Sequence, residues 1–290
     1  MPNPTLDRDE YIEQAYFFRV CRERVEENTP AQDALVGLRE EVLATTRLPM
    51  VIDFLLGELN LHGRMGEGMA SLSHYFTPFQ AFVVQRAEDE ESRFDMRVAL
   101  RILEHEAEYR SGESTTPQAL FVYQFECISR NRLGYDAGMA AIAADGFFDD
   151  DWRDWILKIR RELGTVDFAD LIYLRSEQRV NEVRLRTGKD DYRPSFPVLF
   201  GVQEGRIAKA NRGKDPLYMF AALQRHLGYP RVPRPKPRRT RPLFEPHVEL
   251  RFQRLEAKLS MLESDVKGDF DLSEFYVKNG GEFQGEGEEG

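Results

Sequence analysis

The stretch with the most potential chemistry is Tyr229-Pro-Arg-Val-Pro-Arg-Pro-Lys-Pro-Arg-Arg-Thr-Arg-Pro242, where prolines alternate with Arg231, Arg234, Lys236, Arg238, Arg239 and Arg241. Proline fixes φ and removes a backbone donor, so this spacing suppresses helix, forbids a sheet ladder and favours extended polyproline II. Cationic groups held apart on such an arm can contact successive phosphates or carboxylates. The plainer alternative is a stiff linker whose charges only keep it solvated. No aromatic-rich platform interleaves the charges, so base-specific reading of a nucleic acid is not indicated.

Two further segments carry recognition chemistry. Val248, Phe252, Leu255, Leu259, Leu262 and Val266 repeat by four and three residues, which predicts a helix over 246–266 with an a/d seam of about two and a half heptads. Such a seam docks against the body or pairs with another copy, making a homo-oligomer the alternative. After it, Phe270, Leu272 and Phe275 stand among acids, and a Gly/Glu-rich end follows. That composition cannot form a core and predicts a disordered acidic tail over 267–290, suited to recognition or to masking the basic arm.

Charge divides along the same lines. The chain carries a net −10, yet residues 206–241 hold eleven basic residues against Asp215 alone. Residues 268–290 hold seven acids against Lys278. An acidic body, a basic arm and an acidic tail follow one another, an asymmetry that points to interaction surfaces.

Motifs for other chemistries fail on spacing. The histidines (His62, His74, His105, His226 and His247) form neither His-Glu-x-x-His nor Glu-x-x-His, so a di-iron or zincin reading has no support and no metal or cofactor is assigned. Glu104-His105-Glu106 with Glu108 reads as a solvated helix face. Gly213-Lys214-Asp215 resembles a phosphate loop, but Ala208 stands where the first Gly belongs and Asp215 replaces the Ser or Thr. Asp149-Asp150-Asp151 reads as a helix start. No catalytic residues are assigned. Cys21 and Cys127, both in helical apolar patterns, read as buried thiols of a reducing compartment. With no apolar run near the roughly 20 residues a bilayer requires and no basic-then-apolar amino terminus, the expectation is a cytoplasmic protein without membrane contact.

The elements that must position these groups are helices. Thr29-Pro30-Ala31-Gln32 and Thr77-Pro78-Phe79-Gln80 place Thr at the cap, Pro at the first helical position and Gln three residues after the cap, and Thr116-Pro117 and Asp215-Pro216 are looser versions. Leu133-Gly134-Tyr135 and Leu227-Gly228-Tyr229 read as stops with a left-handed Gly, and Gly112, Gly164 and Gly188 as three more. Apolar spacing between these marks predicts helices near 8–27, 30–44, 49–61, 78–90, 95–111, 117–132, 136–144, 150–163, 167–186, 202–211 and 216–227, with Pro194–Phe200 extended. The result is an all-α, irregular multi-helix bundle, or degenerate helical hairpins, over 1–228, with a sub-boundary near 188–200. The arm occupies 229–245. The functional expectation is a non-enzymatic interaction or scaffold protein that binds a protein partner through its carboxy-terminal third. The alternatives are a nucleic-acid- or ribosome-associated factor using 206–241, and an enzyme with a scattered site.

Overall fold

The computed structural model describes residues 6–92 and 94–234, together with Arg251, Leu255, Lys258 and Leu259. The chain divides into a unit ending at Lys236 and a second from Pro237 onward. Of the second unit, the four described residues are helical and exposed. In the first unit thirteen α-helices follow one another: α1 (Arg8–Glu26), α2 (Ala31–Glu41), α3 (Leu48–His62), α4 (Gly66–Ser71), α5 (Pro78–Glu88), α6 (Met96–Arg110), α7 (Pro117–Asn131), α8 (Tyr135–Ala143), α9 (Asp150–Glu162), α10 (Phe168–Leu174), α11 (Glu177–Thr187), α12 (Val202–Ala210) and α13 (Pro216–Leu227). Among the described residues the only β pairing is two isolated parallel bridges, Leu163 with Val166 and Ser176 with Phe200. The fold is all-α.

Helix α7 is the centre of this unit. Every residue from Ala119 to Ile128 is buried, so the helix presents no face to water. It packs on α8 and α13, while α1 lies along α6 and α5 crosses both α6 and α8. An aromatic cluster joins these layers to α9 and α10: Phe125 stacks on Phe168 with ring centroids 4.0 Å apart, and Phe121 contacts Trp152 and Trp155 at 5.6 and 5.0 Å. Both cysteines are buried free thiols, and burial pushes Cys21 up to about 12.

Local chemistry explains the starts and stops. The Thr77 hydroxyl accepts from the Gln80 amide while Gln80 Oε1 accepts from Thr77 N, a complete capping box. The same Gln80 donates to Gln14 Oε1 at 2.8 Å, tying the cap to α1. Thr116, Asp149 and Asp215 cap α7, α9 and α13 through their side chains. Two expectations are corrected. Helix α2 is capped by Pro30 without a side-chain bond, so the Thr29 box does not form. The left-handed residue after α7 is Arg132, at φ 55°, while Gly134, at φ 96°, caps the start of α8.

The expected helix over 167–186 breaks at Arg175–Ser176. The Arg175 carbonyl accepts from Leu199 N and Phe200 N, and Glu177 N donates to the Phe200 carbonyl, so the chain end of Pro194–Phe200 takes the backbone groups that a continuous helix would use. Ser176 then caps α11. Gly205 of α12 lies against this break so closely that a Cβ there would sit 2.2 Å from Ser176 Oγ.

Candidate interaction site at the root of the arm

The Pro/Arg arm does not leave the body at residue 229. Gly228, at φ 72°, closes α13 by donating to the Gln224 carbonyl and turns the chain back on itself. That turn inserts Tyr229 into the core, where it is 2% exposed. Its hydroxyl donates to Glu126 Oε2 at 2.7 Å and lies 3.1 Å from the Phe220 carbonyl, and its ring meets Tyr123 edge-on at 6.2 Å. Burial, with the Glu126 carboxylate adjoining, pushes the phenol far above its usual pKa, so it remains a donor.

Glu126 is itself buried and takes a second bond from Arg130, one turn further along α7. Arg130 lies over the Phe220 ring at 6.0 Å. A carboxylate shared by a guanidinium and a phenol satisfies a charge that could not otherwise stay in the core. Val232 is buried next, and the two carbonyls around it are held from the body: Asn131 Nδ2 donates to Pro233 O at 3.3 Å, and His105 Nδ1 lies 3.2 Å from Arg231 O. Because a carbonyl only accepts, His105 carries its proton on Nδ1 in this contact. Arg231 and Arg234 remain exposed. Residues 229–234 are therefore an anchored strap, with apolar positions pointing in and guanidinium groups outward.

A second buried polar group lies nearby on α6 and α7. Arg110 is held by Glu106 at 2.9 Å and by Asp145, and Gln124 Nε2 donates to Glu106 Oε1 at 2.7 Å. Burial lowers the Arg110 pKa, but the Asp145 and Glu106 carboxylates outweigh it and hold it above the ordinary value. Burial raises the Glu106 carboxyl, against the pull of Arg110. This corrects the expected solvated Glu104-His105-Glu106 face. Glu104 is buried and paired with Arg22 at 3.1 Å, Glu106 is fully buried, and Glu108 alone of the three acids is exposed.

The chain matches no family model, no curated protein and no solved structure.

Of the residues singled out by sequence, Arg231 and Arg234 sit together on the strap. Leu255 and Leu259 are helical and exposed, at 57% and 58%. Lys236, Arg238, Arg239, Arg241, Phe252, Leu262, Phe270, Leu272 and Phe275 lie outside the described residues, as does the 267–290 tail. In and just after α12 two of the basic residues are paired with acids. Arg206 donates to Gln178, Lys209 binds Glu182 through both oxygens at 2.8 Å, and Arg212 pairs with Asp170 at 2.5 Å while covering Tyr173. Hydrogen bonds from Lys209, Tyr173 and Gln178 hold the Glu182 carboxyl at about 2, so that neutralisation persists at neutral pH. Sequence reasoning missed Glu126, His105 and Asn131. The signal for Glu126 was its place in Phe121-Val-Tyr-Gln-Phe-Glu-Cys-Ile128, since an acid inside a helix apolar on all sides needs a buried partner. Among the described residues no group of three His, Cys, Asp or Glu side chains is placed to hold a metal ion, and no helix is long and apolar enough to cross a membrane.

Proposed function

We propose that this is a non-enzymatic interaction or scaffold protein that presents a basic, proline-rich arm from a fixed root on a helical body, to an acidic surface of a protein partner. The observation that carries the reading is the strap at 229–234. Tyr229, Val232 and two carbonyls are fixed to α6, α7 and α13, while Arg231 and Arg234 face water. Ordering the first residues of an arm in advance lowers the entropy lost when the arm binds. The acidic partners of Lys209 and Arg212 reduce the cationic surface around α12 and favour the arm.

The test is a salt titration of the full chain against a polyglutamate peptide and, separately, a single-stranded RNA of equal length. A protein-directed arm binds the acidic peptide, loses it in the Arg231→Glu/Arg234→Glu variant, and prefers it to RNA. A steep fall of RNA affinity with salt, with tighter binding to RNA than to peptide, supports the nucleic-acid alternative instead. Equal binding of both ligands by wild type and by the charge-reversed variant overturns the arm as the functional surface.

A further inference from the structure

We propose that the outer face of the α2–α3 hairpin pairs with the same face of a second copy of this chain. Helix α3 buries Leu48, Val51, Ile52, Leu55 and Leu59 against the body. Its opposite face carries Met50, Phe54 and Leu61, exposed by 69%, 39% and 77%, with the exposed Gly57 between them. On the neighbouring α2, Val36 is exposed by 56%, and Leu43, two residues beyond the end of that helix, by 55%. The Arg39–Asp53 ion pair, 2.5 Å long and itself half exposed, links the two helices on this side and places both apolar stripes on one face.

Three observations point to a second copy as the occupant. The five apolar side chains expose on the order of 500 Å² per copy, so a two-fold pair would cover about 1,000 Å² from them alone, the level at which a specific interface begins. The α3 stripe is also palindromic: positions 50, 54, 57 and 61 are spaced by four, three and four. An antiparallel two-fold axis between 54 and 57 therefore sets Phe54 against the other copy's Gly57, and Met50 against its Leu61. Such a pairing is isologous and closes at two chains. Gly57 has nothing within 4 Å of where a Cβ would stand, and neither does Gly37 on α2. A mid-helix glycine is a poor helix former compared with alanine, and nothing in the chain's own packing requires the missing methyl. Close approach of another helix does require it.

The experiment is sedimentation equilibrium of the full chain across the micromolar range, with circular dichroism to confirm folding of each variant. The expected result is a monomer–dimer equilibrium for the wild type and for the Leu255→Glu/Leu259→Glu variant. Leu61→Glu should be monomeric over the same range. Gly57→Ala should weaken the dimer at least tenfold while raising the melting temperature of the dilute monomer, opposite signs that a purely structural effect would not produce. A wild type that stays monomeric throughout overturns the proposal. So does a dimer that survives Leu61→Glu but is lost in the Leu255/Leu259 variant, which would assign association to the carboxy-terminal helix, and so does a monomer whose α2–α3 face binds a different chain.

Discussion

At the scale of single residues, the buried acid Glu106 ties the protein's stability to pH. Glu106 and Asp145 share one guanidinium, and Glu106 Oε2 and Gln124 Oε1 are buried acceptors without a hydrogen-bond partner among the described residues. A proton on Glu106 turns one of those acceptors into a donor, and burial favours that form. The native state then binds more protons than the unfolded chain once pH passes the ordinary carboxyl value of about 4.3. This group's contribution to stability consequently falls as pH rises toward its raised native pKa. Glu106→Gln supplies the donor permanently, so its urea midpoint should decline less steeply than the wild type's as pH rises above the ordinary carboxyl value. Glu106→Ala should lose about 3 kcal/mol, because Arg110 and Gln124 keep their places and lose a partner. Equal pH slopes for wild type and Glu106→Gln would show that Glu106 is ionised in the fold. At the root of the arm, Tyr229→Phe leaves Glu126 Oε2 short of a donor and should cost about 1–2 kcal/mol by thermal denaturation. The same change should loosen residues 230–234, read as faster amide exchange at Val232.

Helices are where sequence and structure agree best, and the departures have local causes. Capping boxes, apolar stripes and glycine stops act within a few residues, and the marks at Thr77, Thr116, Asp149, Asp215, Gly188 and Gly228 appear where they were read. The break at Arg175–Ser176 was not legible, because it depends on backbone groups of Leu199 and Phe200 more than twenty residues away. Helix α4 was missed for a related reason. Its six residues contain two glycines, and its start is held by the Glu88 carboxylate, which accepts from Met65 and Gly66 amides. Of the candidate site, the cations of the strap were legible, whereas their anchorage was not, since Tyr229 finds Glu126 across 103 positions of chain. Element packing yields its own prediction. Gly205→Ala sets a methyl into Ser176 Oγ and Gln178 Cβ, atoms close to the backbone that cannot swing away. It should cost about 2 kcal/mol and weaken the α11–α12 contact, whereas Gly188→Ala should cost only the left-handed strain of an exposed turn, about 1 kcal/mol. Paired urea denaturation curves check the order.

For the molecule as a whole, one continuous cluster of buried side chains runs from Ala15 to Val232 and takes in residues of every helix from α1 to α13 except α11. A unit with a single core should unfold in one step. The two tryptophans, Trp152 and Trp155, both lie in the aromatic cluster, so their fluorescence and the far-ultraviolet helix signal should share one midpoint. Separate midpoints would divide the body, with the boundary near 188–200 the place to look. The strap adds a consequence of another kind. A tether that ended at the last turn of α13 would, under tension, peel that helix from the surface one turn at a time. Here a pull on residues beyond Arg234 reaches Asn131, then His105, then Glu126, so it is delivered to α6 and α7 inside the body. The arm is thus attached as a towline is, to the keel and not to the rail.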